Sequence, residues 1–313
     1  MKNDLTSEQK RHYNRHLILD GFGKEGQQRL LQSKVLIVGA GGLGSPASMY
    51  LAAAGIGTIG LVDGDFVSST NLQRQILYTT SDVGQLKIDV AEKRLKAMNP
   101  DVNIIKHEIF LNEDNALDLI RDYDFVVEGT DNFSSKYLVN DACVMLGKAF
   151  TIGGINRYGG QMMTHQPGTA CYRCIFPEPP AMAEVETCSM VGVLGSLAGM
   201  VGTVQATEAI KCLTGIGTPL TNVLLTVDAL TMMWHRFDIN KNNKCGDSYT
   251  EEAPPKGHTP ADAVRENEVP ASCSAAGSYD EVIYCSVCKE EISRTQKTTE
   301  KLQHTPADAV AKL

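Results

Sequence analysis

No run of about 18 apolar residues occurs in this sequence, and a helix needs roughly that length to cross a bilayer, so no membrane span is expected. The opening segment MKNDLTSEQK has no apolar core of the secretory kind, and a cytoplasmic location is expected. A basic excess is also missing. The formal net charge is −8, and acids outnumber bases both before and after Gly246. A partner bound through its phosphate backbone needs the opposite balance, which argues against nucleic acid. Cysteine, by contrast, is plentiful. Nine are present, an odd number with C-x-x-C pairs, which points to a metal or a reactive thiol more than to a disulfide framework.

Residues 5–32 carry apolar positions at helical spacing and predict one or two short helices. Lys34–Gly39 (KVLIVG) then reads as a strand, followed by glycines and a small-residue helix over Ser45–Ala54. Further strands are expected at 58–63, 102–109, 124–128 and 149–153, with a helix over 87–98 stopped by Asn99-Pro100. Such alternation predicts an α/β fold, a doubly wound, Rossmann-like and mostly parallel sheet with N-terminal helices. A helix near 196–213 and strands at 223–230 and 232–239 close it with an antiparallel portion. One domain is expected over 1–245, a linker over 246–257 and an appended Cys-rich module over 258–313. The heptapeptide HTPADAV occurs at 258–264 and again at 304–310. One unit and a stub cannot stack into a solenoid.

Gly39-Ala40-Gly41-Gly42-Leu43-Gly44 fits G-x-G-x-x-G between a strand and a helix, the pattern that lets backbone approach a phosphate at a helix N-terminus. Asp63 ends the next strand, where an acid can accept from ribose hydroxyls. NAD would satisfy these features as well as ATP. Arg74 in Asn71-Leu72-Gln73-Arg74-Gln75 and Lys87 add cations suited to a triphosphate. Asp131, in Gly129-Thr130-Asp131-Asn132 after the fourth strand, is positioned either to bind Mg²⁺ or to cap the following helix. Cys171-Tyr172-Arg173-Cys174 is half of a tetrahedral zinc site. Cys143 and Cys212 sit on apolar helix faces and read as packing residues.

GAGGLGSP, the acidic pair Asp63 and Asp65, NLQRQ, Lys87 and GTDN together resemble the ThiF/MoeB/HesA family, bacterial relatives of ubiquitin-activating enzymes, over residues 5–245. The resemblance implies ATP-dependent adenylylation of the C-terminal glycine of a ubiquitin-like sulfur-carrier protein ending in Gly-Gly, in thiamine, molybdopterin or related thio-cofactor synthesis. It assigns the ribose to Asp63, phosphates to Asn71, Arg74 and Lys87, and magnesium to Asp131. It matches Arg15 to an arginine inserted into the partner subunit's site, which implies a homodimer. Cys188 resembles a crossover-loop cysteine that forms covalent intermediates in some relatives. The family completes the zinc set with a second C-x-x-C, but here Cys245 is followed three residues later by Ser248, leaving the fourth ligand open among the tail's Cys285, Cys288 and His258. The tail itself resembles short repeats of modular bacterial surface proteins. Competing functions are an NAD-dependent oxidoreductase, a relative that activates a tRNA-base carboxylate, and an inactive scaffold of the same fold.

Overall fold

A computed structural model describes residues 4–180, 188–242, 263–271, 275–284 and 291–300. The chain divides into two compact units, one of residues 1–180 with 185–255 and the other of 181–184 with 256–313. In the first, α1 (Ser7–His12), α2 (Asn14–Leu17) and α3 (Gly23–Gln32) precede β1 (Lys34–Val38). There follow α4 (Gly44–Ala54), β2 (Thr58–Val62), α5 (Lys87–Met98), β3 (Asn103–His107), α6 (Ala116–Arg121) and β4 (Phe125–Glu128). Next come α7 (Phe133–Met145), β5 (Ala149–Asn156), β6 (Gly159–His165), α8 (Tyr172–Ile175), α9 (Cys188–Val191), α10 (Gly195–Thr214), β7 (Val223–Asp228) and β8 (Met233–Asp238).

The strands form one eight-stranded sheet in the order β3-β2-β1-β4-β5-β6-β7-β8. β3 through β5 are parallel, and β6, β7 and β8 extend the sheet antiparallel. This is the expected doubly wound α/β architecture. Four of the five residues of β1 and all four of β4 are buried, because helices cover both faces of a parallel sheet. One apolar cluster joins Leu51, Ile59, Leu95 and Phe125; another, containing Leu36, Val126, Tyr137 and Phe150, packs α6 and α7. A third joins Leu43 to Leu197, Val201 and Val227.

The chain leaves β1 toward β2 and β3, then returns to add β4 and β5 on the other side. That reversal makes a switch point at the carboxyl ends of β1 and β4, the crevice where such sheets bind ligands. The N-terminal region holds three helices among the described residues, against the one or two expected. Tyr13 and His16 fasten them: Asn99 Nδ2 donates to Tyr13 Oη at 2.8 Å, and His16 Nδ1 lies 2.9 Å from Gln27 Oε1.

The second unit contains β9 (Val264–Val269), β10 (Gly277–Tyr284) and β11 (Glu291–Thr299), an antiparallel sheet in the order β11-β10-β9. Polar pairs link its strands. Arg294 bonds Glu266 at 2.9 Å and Asp280 at 3.0 Å; the Tyr284 hydroxyl and then Arg294 hold the Glu266 carboxyl below its ordinary range, and Asn267 and then Arg294 do the same for Asp280. Residues 246–257, Cys245, Cys273, Cys285, Cys288, His258, His304 and most of both HTPADAV copies lie outside the described residues.

Candidate functional site

The glycine turn is fixed by sterics. Gly39 has φ +89°, and a Cβ there would meet Gly129 and Thr130 at 3.2 Å. A Cβ on Gly44 would fall 1.9 Å from the Gly39 carbonyl oxygen. The turn after β1 thus nests against the turn after β4, and only glycine allows it. Gly44 starts α4 with Pro46 in its first turn, where no amide is needed for the helix ladder.

Asp63, only 7% exposed, follows β2. Its Oδ2 accepts from the Ala40 amide and its Oδ1 from the Asp65 amide, both at 2.8 Å. These bonds orient the carboxylate beside the turn. Burial pushes the Asp63 carboxyl above its ordinary value, while Lys87 and the two amides pull it back. Lys87 is 4% exposed, with Nζ 2.9 Å from Asp65 Oδ2 and 3.9 Å from Asp63 Oδ2. Arg74 donates to Asn71 Oδ1 at 3.1 Å, which aligns the two side chains.

These groups line one cavity of about 870 Å³ at the switch point. Gly39, Gly41, Gly42, Asp63, Asp65, Asn71, Arg74, Lys87 and Asp131 all border it, within the size range of small-molecule sites. Gly44 does not border it and instead permits the turn. Asp131 is exposed on the cavity wall, and it does not cap α7. Asn132 does so, with Oδ1 accepting from the Ser135 amide at 2.7 Å. The capping alternative is therefore corrected: Asp131 keeps its oxygens for another partner.

Two bordering or supporting residues were not singled out from sequence. Lys136, on α7, lines the cavity with its Nζ 2.6 Å from Glu128 Oε2, 2.6 Å from the Gly153 carbonyl and 2.9 Å from the Thr130 carbonyl. Glu128 is fully buried, and burial raises its carboxyl's affinity for a proton against the pull of Lys136 and Thr130. A clue existed: Glu128 ends the apolar strand FVVE, and a buried carboxylate demands a cation nearby.

Arg15 lies on α2, exposed and away from this cavity, with Ile18 and Leu19 exposed just beyond it. Cys171 and Cys174 face each other with sulfurs 3.9 Å apart. Two tetrahedral zinc–sulfur bonds of ~2.3 Å would set their sulfurs about 3.8 Å apart, so the pair fits a metal edge. α7 builds this turn: Asn140 Oδ1 accepts from the Tyr172 amide, and Asp141 takes a two-pronged grip from Arg173, all at 2.7 Å. The Asn242 amide lies 3.4 Å from Cys174 Sγ, which places the segment after β8 beside the pair. Among the described residues, no group of three or more potential metal-binding side chains is formed. Cys188 begins α9, but its side chain lies outside the described residues. Cys143 is buried on α7 and Cys212 packs against the core from α10, as expected. No described helix is long and apolar enough to cross a membrane.

A switch-point crevice with an acid beside a glycine turn, and with cations and a further carboxylate on its wall, is of the kind found in nucleotide-binding α/β proteins. Residues 13–247 match the ThiF family, and the chain belongs to it. It is 46% identical to a sulfur carrier protein adenylyltransferase of Thermus thermophilus, over 79% of this chain and 94% of that relative. It is 44% identical to the probable adenylyltransferase/sulfurtransferase MoeZ of Mycobacterium tuberculosis, over 76% of this chain but 62% of MoeZ, so it spans less than two thirds of that relative. The crystal structure of E. coli MccB with MccA-N7isoASN is similar at a TM-score of 0.67 and 25% identity, covering 75% of this chain and 74% of that one.

Proposed function

We propose that this chain adenylylates the C-terminal glycine carboxylate of a ubiquitin-like sulfur-carrier protein. A carboxylate oxygen attacks the α-phosphorus of ATP. The new acyl–phosphate bond forms as the bond to the β-phosphate breaks, and pyrophosphate leaves. The observation that carries this reading is the meeting of the glycine turn, Asp63, Arg74, Lys87 and Asp131 around one cavity. Family membership and the names of the relatives support it over an oxidoreductase, which needs neither these cations nor a carboxylate beside them.

In this reading Asp63, held by two amides, keeps lone pairs for the ribose hydroxyls. Asp65 and Asn71 orient Lys87 and Arg74, whose remaining N–H groups face the phosphates. Two anions must approach one another, and fixed cations offset their repulsion. Asp131 is a hard oxygen donor whose chemistry fits Mg²⁺ together with phosphate oxygens. Magnesium, when bound, would neutralise charge on the departing pyrophosphate.

Arg15 completes the site of a second subunit in a homodimer, a role favoured by its exposure beside Ile18 and Leu19. Zinc joins Cys171, Cys174 and Cys245 as a structural clip, supported by the sulfur spacing and by the Asn242 contact. Cys188 serves a later transfer step, on the resemblance alone. The catalytic domain ends near residue 245, and the tail is an appended module. Use of ATP suits a cytoplasmic site of action.

The test is exchange of labelled pyrophosphate into ATP with carriers ending in Gly-Gly. Exchange that requires both the carrier and its terminal carboxylate is expected; reduction of nicotinamide without exchange would favour the oxidoreductase.

A further inference from the structure

Among residues 128–132, Asp131 is the one whose side chain takes no part in holding its own turn. Glu128 Oε1 accepts from the Thr130 amide at 2.9 Å and also from the Thr130 hydroxyl. Asn132 caps α7. Gly129 packs against the first glycine turn, where a Cβ would sit 3.1 Å from the Gly44 amide nitrogen. Lys136 reaches back from the first turn of α7 and binds the Glu128 carboxylate, the Thr130 carbonyl and, on the neighbouring strand, the Gly153 carbonyl. One ammonium thereby ties the turn to β5. Gly153 in turn lies where a Cβ would meet the Gln205 side chain at 2.9 Å and the Leu43 side chain of the glycine-rich segment at 3.0 Å. The turn that carries Asp131 is thus tied to β5 and packed against the glycine turn after β1.

We propose that the buried Lys136–Glu128 pair is a positioning device that aims the Asp131 carboxylate at the metal–phosphate subsite. The inference rests on the adenylylation reading. A buried ion pair is a poor source of net stability, since desolvation offsets most of the attraction. What this pair supplies is a fixed geometry, with Lys136 contacting the turn at two points and the sheet at a third. Lys136 and Glu128 touch no reacting atom in this scheme; they act through Asp131.

The experiment compares the wild-type protein with Lys136→Met/Glu128→Gln, which removes both charges together, and with Lys136→Arg and Thr130→Val. Three quantities are read: Mn²⁺ affinity of the complex with a non-hydrolysable ATP analogue by paramagnetic resonance, analogue affinity in a chelator, and pyrophosphate exchange. The double variant is expected to lose about tenfold in Mn²⁺ affinity and ~10²-fold in exchange, the scale set by a misplacement of about 1 Å, while analogue affinity without metal stays unchanged. Lys136→Arg, which keeps the cation, should recover part of both losses. Thr130→Val, which keeps the charge pair, should show a smaller shift in the same direction, and it reads the same geometry if the double variant does not fold. Wild-type Mn²⁺ affinity and exchange in a folded double variant, or in Thr130→Val where the double variant fails to fold, would overturn the proposal. So would a fall in metal-free analogue affinity matching the fall in exchange, which would make Lys136 a direct phosphate ligand. Absence of exchange in the wild type with every carrier would count against adenylylation, while the Mn²⁺ arm would still report on the turn.

Discussion

Asp131 carries the sharpest prediction among the single residues. It lines the cavity and leaves the helix cap to Asn132, so Asp131→Ala should remove a catalytic charge without touching the fold. Pyrophosphate exchange is expected to drop ~10²–10³-fold, with the thermal midpoint unchanged. Near-normal exchange would remove this residue from the chemistry. Asp63 offers a pH test. Because burial raises its folded value above the ordinary 3.8, its contribution to stability is fully present below that ordinary value and is lost as pH rises through the folded one. Ribose recognition needs the ionised form, so nucleotide affinity should weaken on acidification before an ordinary aspartate would protonate. Calorimetry between about pH 4 and 8 should reveal it, and Asp63→Asn should flatten the profile. The thiols divide similarly. Burial and Glu208 push Cys212 up to about 12, and burial alone lifts Cys143 further. Both should resist iodoacetamide in the native protein near neutral pH, because the thiolate is the reactive form. Rapid labelling of either in native protein would contradict the packing described.

Elements rather than residues decide whether the phosphate turn exists at all. The strand, the glycine turn and α4 form one unit because Gly44 lets α4 begin in contact with the carbonyl of Gly39. Gly44→Ala sets a methyl against backbone and should lower unfolding free energy by ~3 kcal/mol or more in urea titration, with loss of nucleotide binding. A change below about 1 kcal/mol would mean the turn relaxes freely. The loop that delivers α5 and its Lys87 is held differently. Burial would raise the Asp82 carboxyl, but its Oδ2 accepts from the Thr79 hydroxyl and the Thr79 amide, both at 2.7 Å, and from Arg94 at 2.6 Å, and these bonds hold it below the ordinary range. A lowered value means stability that is present above the ordinary carboxylate pKa and lost as pH falls through the folded one. Asp82→Asn should cost about 1–2 kcal/mol at neutral pH, and the gap to wild type should close in acid.

At the scale of the whole molecule, the parallel half of the sheet was legible because β1, β2, β4 and β5 are short apolar runs with a glycine at or just past their ends, and buried strands read that way. The helix after Asp131 was anticipated from the apolar face that carries Cys143, but the hold of its Asn140 and Asp141 on Tyr172 and Arg173 was not. The tail sheet was equally hidden. VRENEV and EISRTQKTT lack an apolar alternation, and their pairing shows only across strands, in Arg294 with Glu266 and Asp280. The charged cavity residues Asp63, Asp65, Arg74, Lys87 and Asp131 could be named in advance because they follow strands at the switch-point end. Lys136 and Glu128 could not be paired, since sequence carries no distances. Two predictions belong to this scale. A chain ending at residue 255 should retain wild-type exchange, as every cavity residue precedes it. Mixing Arg15→Ala with Asp131→Ala protein should restore activity through hybrid dimers, up to about a quarter of wild type, if each site is built across a two-fold axis. No restoration on mixing would argue for sites complete within one subunit.

Intact-mass analysis of a Gly-Gly carrier, incubated with this protein, ATP and Mg²⁺ and quenched in acid, reads the proposed product directly. A carrier heavier by one adenylyl group, formed with wild-type protein and absent with Asp131→Ala, is the predicted result. Unchanged carrier mass across all Gly-Gly carriers, despite measurable ATP binding, would contradict it.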